Sequence, residues 1–538
     1  MSDTFSILAA DKLAQEGLDY IQSQPDAELV NKPGLSEDDL AAIAGEHDGM
    51  IVRSGVQVTA KVLAKPGKLR AIARAGVGVD NIDLEAATAA GILVMNSAEA
   101  STISTAEHAF ALMMALSRNI GPAYRTMCDG GWDRNKFNGR QLAGRTLGVI
   151  GFGRIGRTMA ERALAFGMSV VAYDPFYNQP TALDGKVKMF SQVADLLPEA
   201  DILTFHVPLN DQTRNMLDAD AFAKCRDGVM VINAARGGVI DDDALLAAIE
   251  SGKCAGAAID VYAKEPPPAD SPLRNHPKIL TTPHLGASTK EAQLAVSVSA
   301  AQQLLTYLRG EGIIGAVNAG GLRVDLDPIQ ERFVDLAQRM SALISPMITK
   351  GIGSVTFELT GKSLGSAAGT IERYGLIGLL KGHLDIPLNI INVASVAEQR
   401  GIELRTVSIE DEKVTGTQIA IEVRSPGDQP ELRRIVGRVF HDMRPRVVEI
   451  NGYHMDMIPG GVMVLILNED RPGMIGLVGK EFGDAQINIA DMTISRRDHT
   501  AMMLLKVDAE PTEAMLNRLQ ARPGILKVAV VKLPVEKA

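Results

Sequence analysis

The sequence predicts an α/β protein: two doubly wound parallel-sheet units, an intervening α/β unit, and a terminal βαββαβ unit of the ferredoxin-like arrangement. Three observations carry that prediction. Short β-branched runs alternate with polar helical stretches between residues 6 and 286. One of those runs empties into a glycine loop, VIGFGRIG (149–156). The last stretch orders its apolar runs as strand, helix, strand, strand, helix, strand.

Length and composition fit this plan. A chain of 538 residues exceeds one core, and about 150 residues per domain gives three or four units, each with apolar residues (46% overall) enough to bury an interior. The net charge of −10, without a long basic run, argues against nucleic acid or an anionic membrane surface and favours a small ligand. Cys128, Cys225 and Cys254 lack the spacing of a disulfide framework or a zinc site, so no metal is expected. The start, MSDTFSILAA, lacks a basic stretch ahead of an apolar core, and no apolar run reaches bilayer length. The expectation is a cytoplasmic protein.

The elements follow in order. SILAA (6–10), GMIVRS (49–54), LRAIARAG (69–76) and ILVMNS (92–97) are strands, with helices at SEDDLAAIAGE (36–46) and LEAATAAG (84–91). A long apolar helix, TAEHAFALMMALSRNIG (105–121), leads to six further strands: 145–153, 169–175, 200–209, 228–236, 255–262 and 278–286. A helix at 294–310 precedes GEGIIGAVNAGGL (310–322), whose glycines suggest a linker. Residues 326–457 supply a helix (329–347) and strands at 354–361, 417–425 and 446–457, without a catalytic constellation. The terminal unit holds strands at 461–469, 487–497, 500–510 and 525–533 and helices at 473–484 and 512–522. The expected division is 1–98 with 292–325, then 99–291, 326–457 and 458–538.

A lone GxGxxG is weak evidence, but this one follows a strand, opens a helix, and precedes a second strand ending in Asp174. Gly151 suits the tight turn, Gly153 close approach of a pyrophosphate, and Gly156 helix-to-strand packing, while Arg154 and Ile155 begin the helix whose N–H groups face the anion. This is a Rossmann-like dinucleotide site. Asp174 is placed to accept hydrogen bonds from ribose hydroxyls, and its charge would repel a 2′-phosphate, so NAD is expected over NADP.

Arg236, Glu265 and His284 each stand near a strand end, and singly each is an ordinary surface residue. Together they match what oxidation of a 2-hydroxy acid requires: a planar cation for the carboxylate, a base for the hydroxyl proton, and a carboxylate to fix the base's tautomer. GFGRIG (151–156), NAARGG (233–238), VYAKEPP (261–267) and PHLGAST (283–289) resemble the signature segments of the D-isomer-specific 2-hydroxyacid dehydrogenases, over roughly residues 1 to 320. With VRSGVQVTAKVL (52–63), RAGVGVDNIDLEAAT (74–88) and two further C-terminal units, the chain is most similar to the long-form members that oxidise 3-phosphoglycerate at the entry to serine synthesis. The resemblance implies Arg236 as carboxylate binder, His284 as acid/base, Glu265 as its partner and Asp260 beside the nicotinamide carboxamide. It also adds Ala234, Arg236, His284 and Gly286 to the coenzyme contacts, implies a homodimer or homotetramer, and returns the chain to the first unit after residue 290. Glyoxylate or hydroxypyruvate reduction and an NAD-sensing corepressor-like role remain alternatives.

Arg53 with Ser54, and Arg74 with Gly76 and Val77, end first-unit strands where an open sheet puts its ligand crevice, and are candidates for the substrate phosphate. The family pattern carries Pro and Asn where this chain has Ala98 and Ser101; Ser101 can still donate a hydrogen bond. The tail resembles ACT domains, which bind amino acids between paired copies. In NEDRPGMIG (468–476), Asp470, Pro472 and Gly473 lie at a helix start able to hold a small anion, Asn488 is a second contact, and L-serine is the implied effector.

Overall fold

The computed structural model describes residues 4–323, 326–381, 383–384, 387–410, 416–427 and 430–534. The expected unit ends at Asp325 and Ala538 lie outside these residues.

The first sheet is parallel throughout, in the order Ala27–Asn31 (β2), Phe5–Ala9 (β1), Gly49–Val52 (β3), Ala71–Arg74 (β4), Leu93–Asn96 (β5). Strand β2 was not expected. It is an edge strand whose residues are half-buried or exposed, so it lacks the continuous apolar run that marks the central strands. Gly-rich 310–322 is not a free linker. Ala316 pairs antiparallel with Met95, and Val317 N–H donates to Val94 O (2.8 Å). The Asn318 amide accepts from Val94 N–H (2.8 Å) and donates to Ile92 O (2.9 Å), so the segment caps the open edge of β5.

The second sheet has eight strands rather than six. Its order is Ile279–Thr281 (β13), Cys254–Ile259 (β12), Val229–Asn233 (β11), Ile202–Phe205 (β10), Thr146–Ile150 (β6), Ser169–Tyr173 (β7), Val187–Phe190 (β9), Thr181–Ala182 (β8). Only the β8–β9 pair is antiparallel. Strands β6 and β10 are neighbours but separated in sequence, so the strand order reverses between them, and their carboxyl ends form the crevice where such sheets bind ligands.

Two helices cross between the sheets. Thr102–Ser117 packs Ala109, Leu112 and Met113 against Leu147, Val149 and Met159 of the second unit. The expected helix over 105–121 stops early, because Asn119 adopts a left-handed conformation (φ 52°) and a separate helix, Ile120–Cys128, leaves at an angle. Lys290–Leu308 buries Val296, Ala300 and Leu304 against Ile7, Ile51 and Ala73 of the first unit. The site therefore lies between two sheets joined by a pair of helices.

The third sheet runs Glu403–Ile409 (β15), Ser354–Thr360 (β14), Gln418–Arg424 (β16), Leu432–Val439 (β17), Pro445–Ile450 (β18), Tyr453–Met457 (β19). The fourth is antiparallel, ordered Ile489–Arg497 (β21), Thr500–Val507 (β22), Val462–Glu469 (β20), Ile525–Lys532 (β23), which is the ferredoxin-like topology. Its helix-free face is covered within the chain. Met463, Leu465, Met502, Leu504 and Val531 share one core with Met455 and Met457 of β19 and with the helix Pro328–Ile344, which Asp327 and Gln330 start with a capping box. Arg339 on that helix, 6% exposed, donates to Pro459 O (3.1 Å) and to Pro534 O, tying both ends of the last unit to the third.

Candidate functional site

The glycine loop is built by sterics. Gly151 turns the chain at φ 93° directly after β6, and a Cβ there would strike the His206 carbonyl beyond β10. A Cβ at Gly156, inside the helix Arg154–Ala165, would collide with the Gly151 carbonyl oxygen. Gly153 is different. A Cβ there meets nothing within 4 Å, so no contact inside the chain requires glycine; what fits is an external group pressing on the backbone at the helix N-terminus. Asp174 beyond β7 accepts from Phe152 N–H (2.9 Å) through one oxygen and from Phe176 N–H (2.9 Å) through the other, which fixes the carboxylate beside the loop. The residues present thus fit a dinucleotide. Arg154 is ion-paired to Glu99 in the connection from the first unit, and Ile155 is half-buried.

Beyond β11, Ala234 and Ala235 are buried and Arg236 turns toward the first unit. Its Nε donates to Asp80 (2.9 Å) and its Nη1 to Ala235 O (2.6 Å). Gly237 packs on the Tyr262 carbonyl, which brings the Arg236 turn beside the segment carrying Glu265. Glu265 accepts from Tyr262 N–H (3.1 Å) and, through its other oxygen, from His284 Nδ1 (2.7 Å). Because a carboxylate can only accept, the imidazole proton lies on Nδ1, and Nε2 presents a lone pair. Both side chains are part-exposed, as groups that meet a ligand must be.

His284 has a left-handed backbone (φ 55°), and Asp260 holds it there. The Asp260 carbonyl accepts from His284 N–H (2.8 Å), Oδ1 from Leu285 N–H (2.8 Å) and Thr282 Oγ1 (2.6 Å), and Oδ2 from Gly286 N–H (2.9 Å). His108 Nε2 on Thr102–Ser117 lies 3.2 Å from Oδ1. Burial of Asp260 favours its acid form, but the hydrogen bonds from His108, Thr282 and Leu285 outweigh it and hold the carboxyl below its usual range.

Across the crevice, Arg74 ends β4 with its guanidinium over Gly76, where a Cβ would overlap it. The Val77 carbonyl is taken by Asn96 (2.6 Å). Arg74 Nε is buried without a partner, and burial together with the neighbouring Arg236 and Arg53 charges pulls the guanidinium down to about 10. Three arginines thus converge against Asp80 and Asp11. Arg53 Nη1 donates to Lys12 O (3.0 Å), and Ser54 beside it is exposed. Ser101 is set apart: it is 0% exposed, its hydroxyl partnerless at the foot of Thr102–Ser117.

Sequence reasoning missed Asp80, His108 and His206. Asp80 lies in GVGVDNID, where its distance from Arg236 in sequence hides the pairing. His206 bonds Thr204 Oγ1 through Nε2 (3.0 Å), and burial pushes its imidazole down to about 4, so it is neutral. His108 was legible only as a polar break in an apolar helix.

The tail residues do not converge within one chain. Asp470, Pro472 and Gly473 (φ 94°) precede the helix Met474–Asp484, whereas Asn488 follows it, about 16 Å away along eleven residues. Asp470 is paired with Arg496 (2.6 Å) and Asn488 with Asp508 (2.8 Å). Asn468, the polar interruption in buried β20, is 1% exposed with its Oδ1 partnerless at the same loop; it too was missed.

Three family descriptions match the chain. The D-isomer specific 2-hydroxyacid dehydrogenase NAD binding domain covers residues 110–286, the D-3-phosphoglycerate dehydrogenase intervening domain 330–451, and the ACT domain 462–524. The D-3-phosphoglycerate dehydrogenase of Archaeoglobus fulgidus is 37% identical over 531 residues, covering 98% of this chain and 100% of that protein. That of Bacillus subtilis is 36% identical over 534 residues, with the same coverage. Among solved structures, NAD-dependent formate dehydrogenase from Staphylococcus aureus in complex with NAD matches 58% of this chain and 98% of its own, at 28% identity and a TM-score of 0.52.

Proposed function

The chain belongs to the D-3-phosphoglycerate dehydrogenase family, and from that premise and the site geometry we propose that it oxidises 3-phospho-D-glycerate to 3-phosphohydroxypyruvate, the first step of serine synthesis. The observation that carries the substrate is the convergence of Arg53, Arg74 and Arg236 on one crevice, with Arg74 Nε buried and unpaired. Three guanidinium charges face the carboxylates of Asp80 and Asp11, and a ligand bearing both a carboxylate and a phosphate would balance the cluster and give the buried Arg74 Nε an acceptor.

Gly151, Gly153, Gly156 and Asp174 hold NAD, which when bound supplies the hydride acceptor that oxidation of an alcohol to a ketone requires. Arg236 orients the substrate carboxylate, and Arg53 with Arg74 takes the phosphate. His284 Nε2 would accept the C2 hydroxyl proton, and Glu265 would stabilise the resulting imidazolium through Nδ1. Closure of the first unit on the second, already bridged by Arg236 and Asp80, excludes water from the reacting carbon.

The exposed arm favours a homodimer or homotetramer. Helix Ile120–Cys128 buries none of its own residues, and Ile120, Tyr124, Met127 and Trp132 are all more than half exposed. A second copy of the chain covers this arm. Pairing also allows an amino acid, serine first among candidates, to lie between the loop at Gly473 of one copy and Asn488 of another. Three free cysteines and the acidic surface suit a cytoplasmic enzyme.

The test is formation of reduced nicotinamide by the purified chain with 3-phosphoglycerate, glycerate and glyoxylate in parallel. Turnover of 3-phosphoglycerate should exceed that of glycerate, and Arg74→Ala should reduce kcat/KM for the phosphorylated substrate roughly 10- to 100-fold while leaving glycerate nearly unaffected. Equal use of both acids by the wild type would overturn the substrate assignment.

A further inference from the structure

We infer that His108 is a positioning residue for the hydroxyl-oxidising centre, acting on His284 through Asp260. The inference rests on the proposed dehydrogenase reading and assigns that site a further residue.

A left-handed conformation is available to histidine only at a cost, about 1 kcal/mol or more, and persists where the surroundings over-determine it. At His284 the surroundings are one residue. Three successive N–H groups, of His284, Leu285 and Gly286, all donate to Asp260, the first to its carbonyl and the others to its two carboxylate oxygens. The backbone turn that carries the His284 ring is therefore tied to where Asp260 sits, while Glu265 holds the ring itself through Nδ1.

That carboxylate is 0% exposed, away from bulk solvent. Apart from the turn it restrains, its side-chain partners are Thr282 Oγ1 at 2.6 Å and His108 Nε2 at 3.2 Å, both on Oδ1. Thr282 belongs to the same strand-to-turn segment as His284, its N–H donating to Ile259 O (3.0 Å). His108 stands on a different element, Thr102–Ser117, whose Ala109, Leu112 and Met113 are buried in the core beneath β6. His108 is thus the side-chain anchor of Asp260 that is independent of the turn. Since Asp260 only accepts, His108 carries its proton on Nε2, and the 3.4 Å separation from Thr282 Oγ1 lets the same N–H brace the threonine, whose own proton goes to Asp260. The same helix begins at the connection between the two units, so the anchor and the crossing between them are one element.

The test uses the full-length enzyme with His108→Leu, His108→Gln and His108→Asn. The Gln amide reaches as far as Nε2 and keeps the donor, whereas Asn falls short. His108→Leu and His108→Asn should lose about 10- to 100-fold in kcat at unchanged KM for 3-phosphoglycerate, and the isotope effect with C2-deuterated substrate should rise as the chemical step becomes limiting. His108→Gln should recover most of the rate. If His108→Leu does not fold, the Gln and Asn pair decides. Equal kcat and isotope effect for Gln, Asn and wild type would overturn the inference, as would losses confined to thermal stability. Wild-type turnover is the control for the reaction itself: its absence would sink the dehydrogenase reading rather than the role of His108.

Discussion

Gly153 and Gly156 share one motif and serve different masters, which makes them separable by substitution. Gly156→Ala puts a methyl into the Gly151 carbonyl and should lower the unfolding midpoint of the nucleotide unit. Gly153→Ala meets open space, so the melting curve without coenzyme should match wild type while calorimetry shows NAD binding weakened at least tenfold. His284→Ala should reduce turnover by at least two orders of magnitude with little change in NAD affinity. The buried imidazole of His206 gives a pH signature. Its folded value is about 4 against an ordinary 6.5, so as pH falls the unfolded chain takes up a proton first; stability is complete above 6.5 and declines between 6.5 and 4. The decline is up to about 3 kcal/mol by linkage, and His206→Gln should flatten that part of the urea-midpoint profile.

At the level of elements, what could be read from the chain was whatever local pattern determines. Strands β6, β7, β10, β11 and β12 are apolar along most of their length because both faces are covered, and each stands where its run of Val, Ile and Ala put it. Edge strands escaped for the converse reason: β2, β8 and β15 each end a sheet and carry exposed positions with polar residues to match. Arg236, Glu265 and His284 were legible as strand-end residues in recognisable segments, whereas Asp80 pairs with Arg236 across 156 residues and His108 with Thr282 across 174, which no window contains. The glycines of 310–322 misled because they also permit a chain to lie flat against a sheet edge. That contact is testable. Asn318 makes three hydrogen bonds, to Val94 N–H, Ile92 O and Thr88 Oγ1, and Asn318→Ala should cost roughly 2–3 kcal/mol and increase amide exchange at β5.

Over the whole molecule, the third and fourth units behave as one body because the sheet face of the last is the core of the one before it. A chain ending after Met457 would expose Met455, Met457 and the facing side of Pro328–Ile344, and should aggregate. A chain ending near residue 323 keeps both catalytic cores and should retain NAD-dependent turnover. Activity in the longer truncation equal to that of the full chain, with no loss of solubility, would show that the shared core is dispensable.

The C-terminal body touches the catalytic half at a small footing. Asn389 donates to Gly91 O (2.8 Å), Arg373 to Gly320 O (3.1 Å), and Ile391 enters the core beneath β5. Gly91 is the hinge pin of the turn into β5, and β5 runs on to Glu99 and the first turn of Thr102–Ser117. The footing of the rear body therefore lies on the strand that leads into the helix joining the two sheets of the crevice. What ties the rear body to the catalytic half is thus backbone carbonyls and one apolar side chain, none of them a group assigned to the substrate.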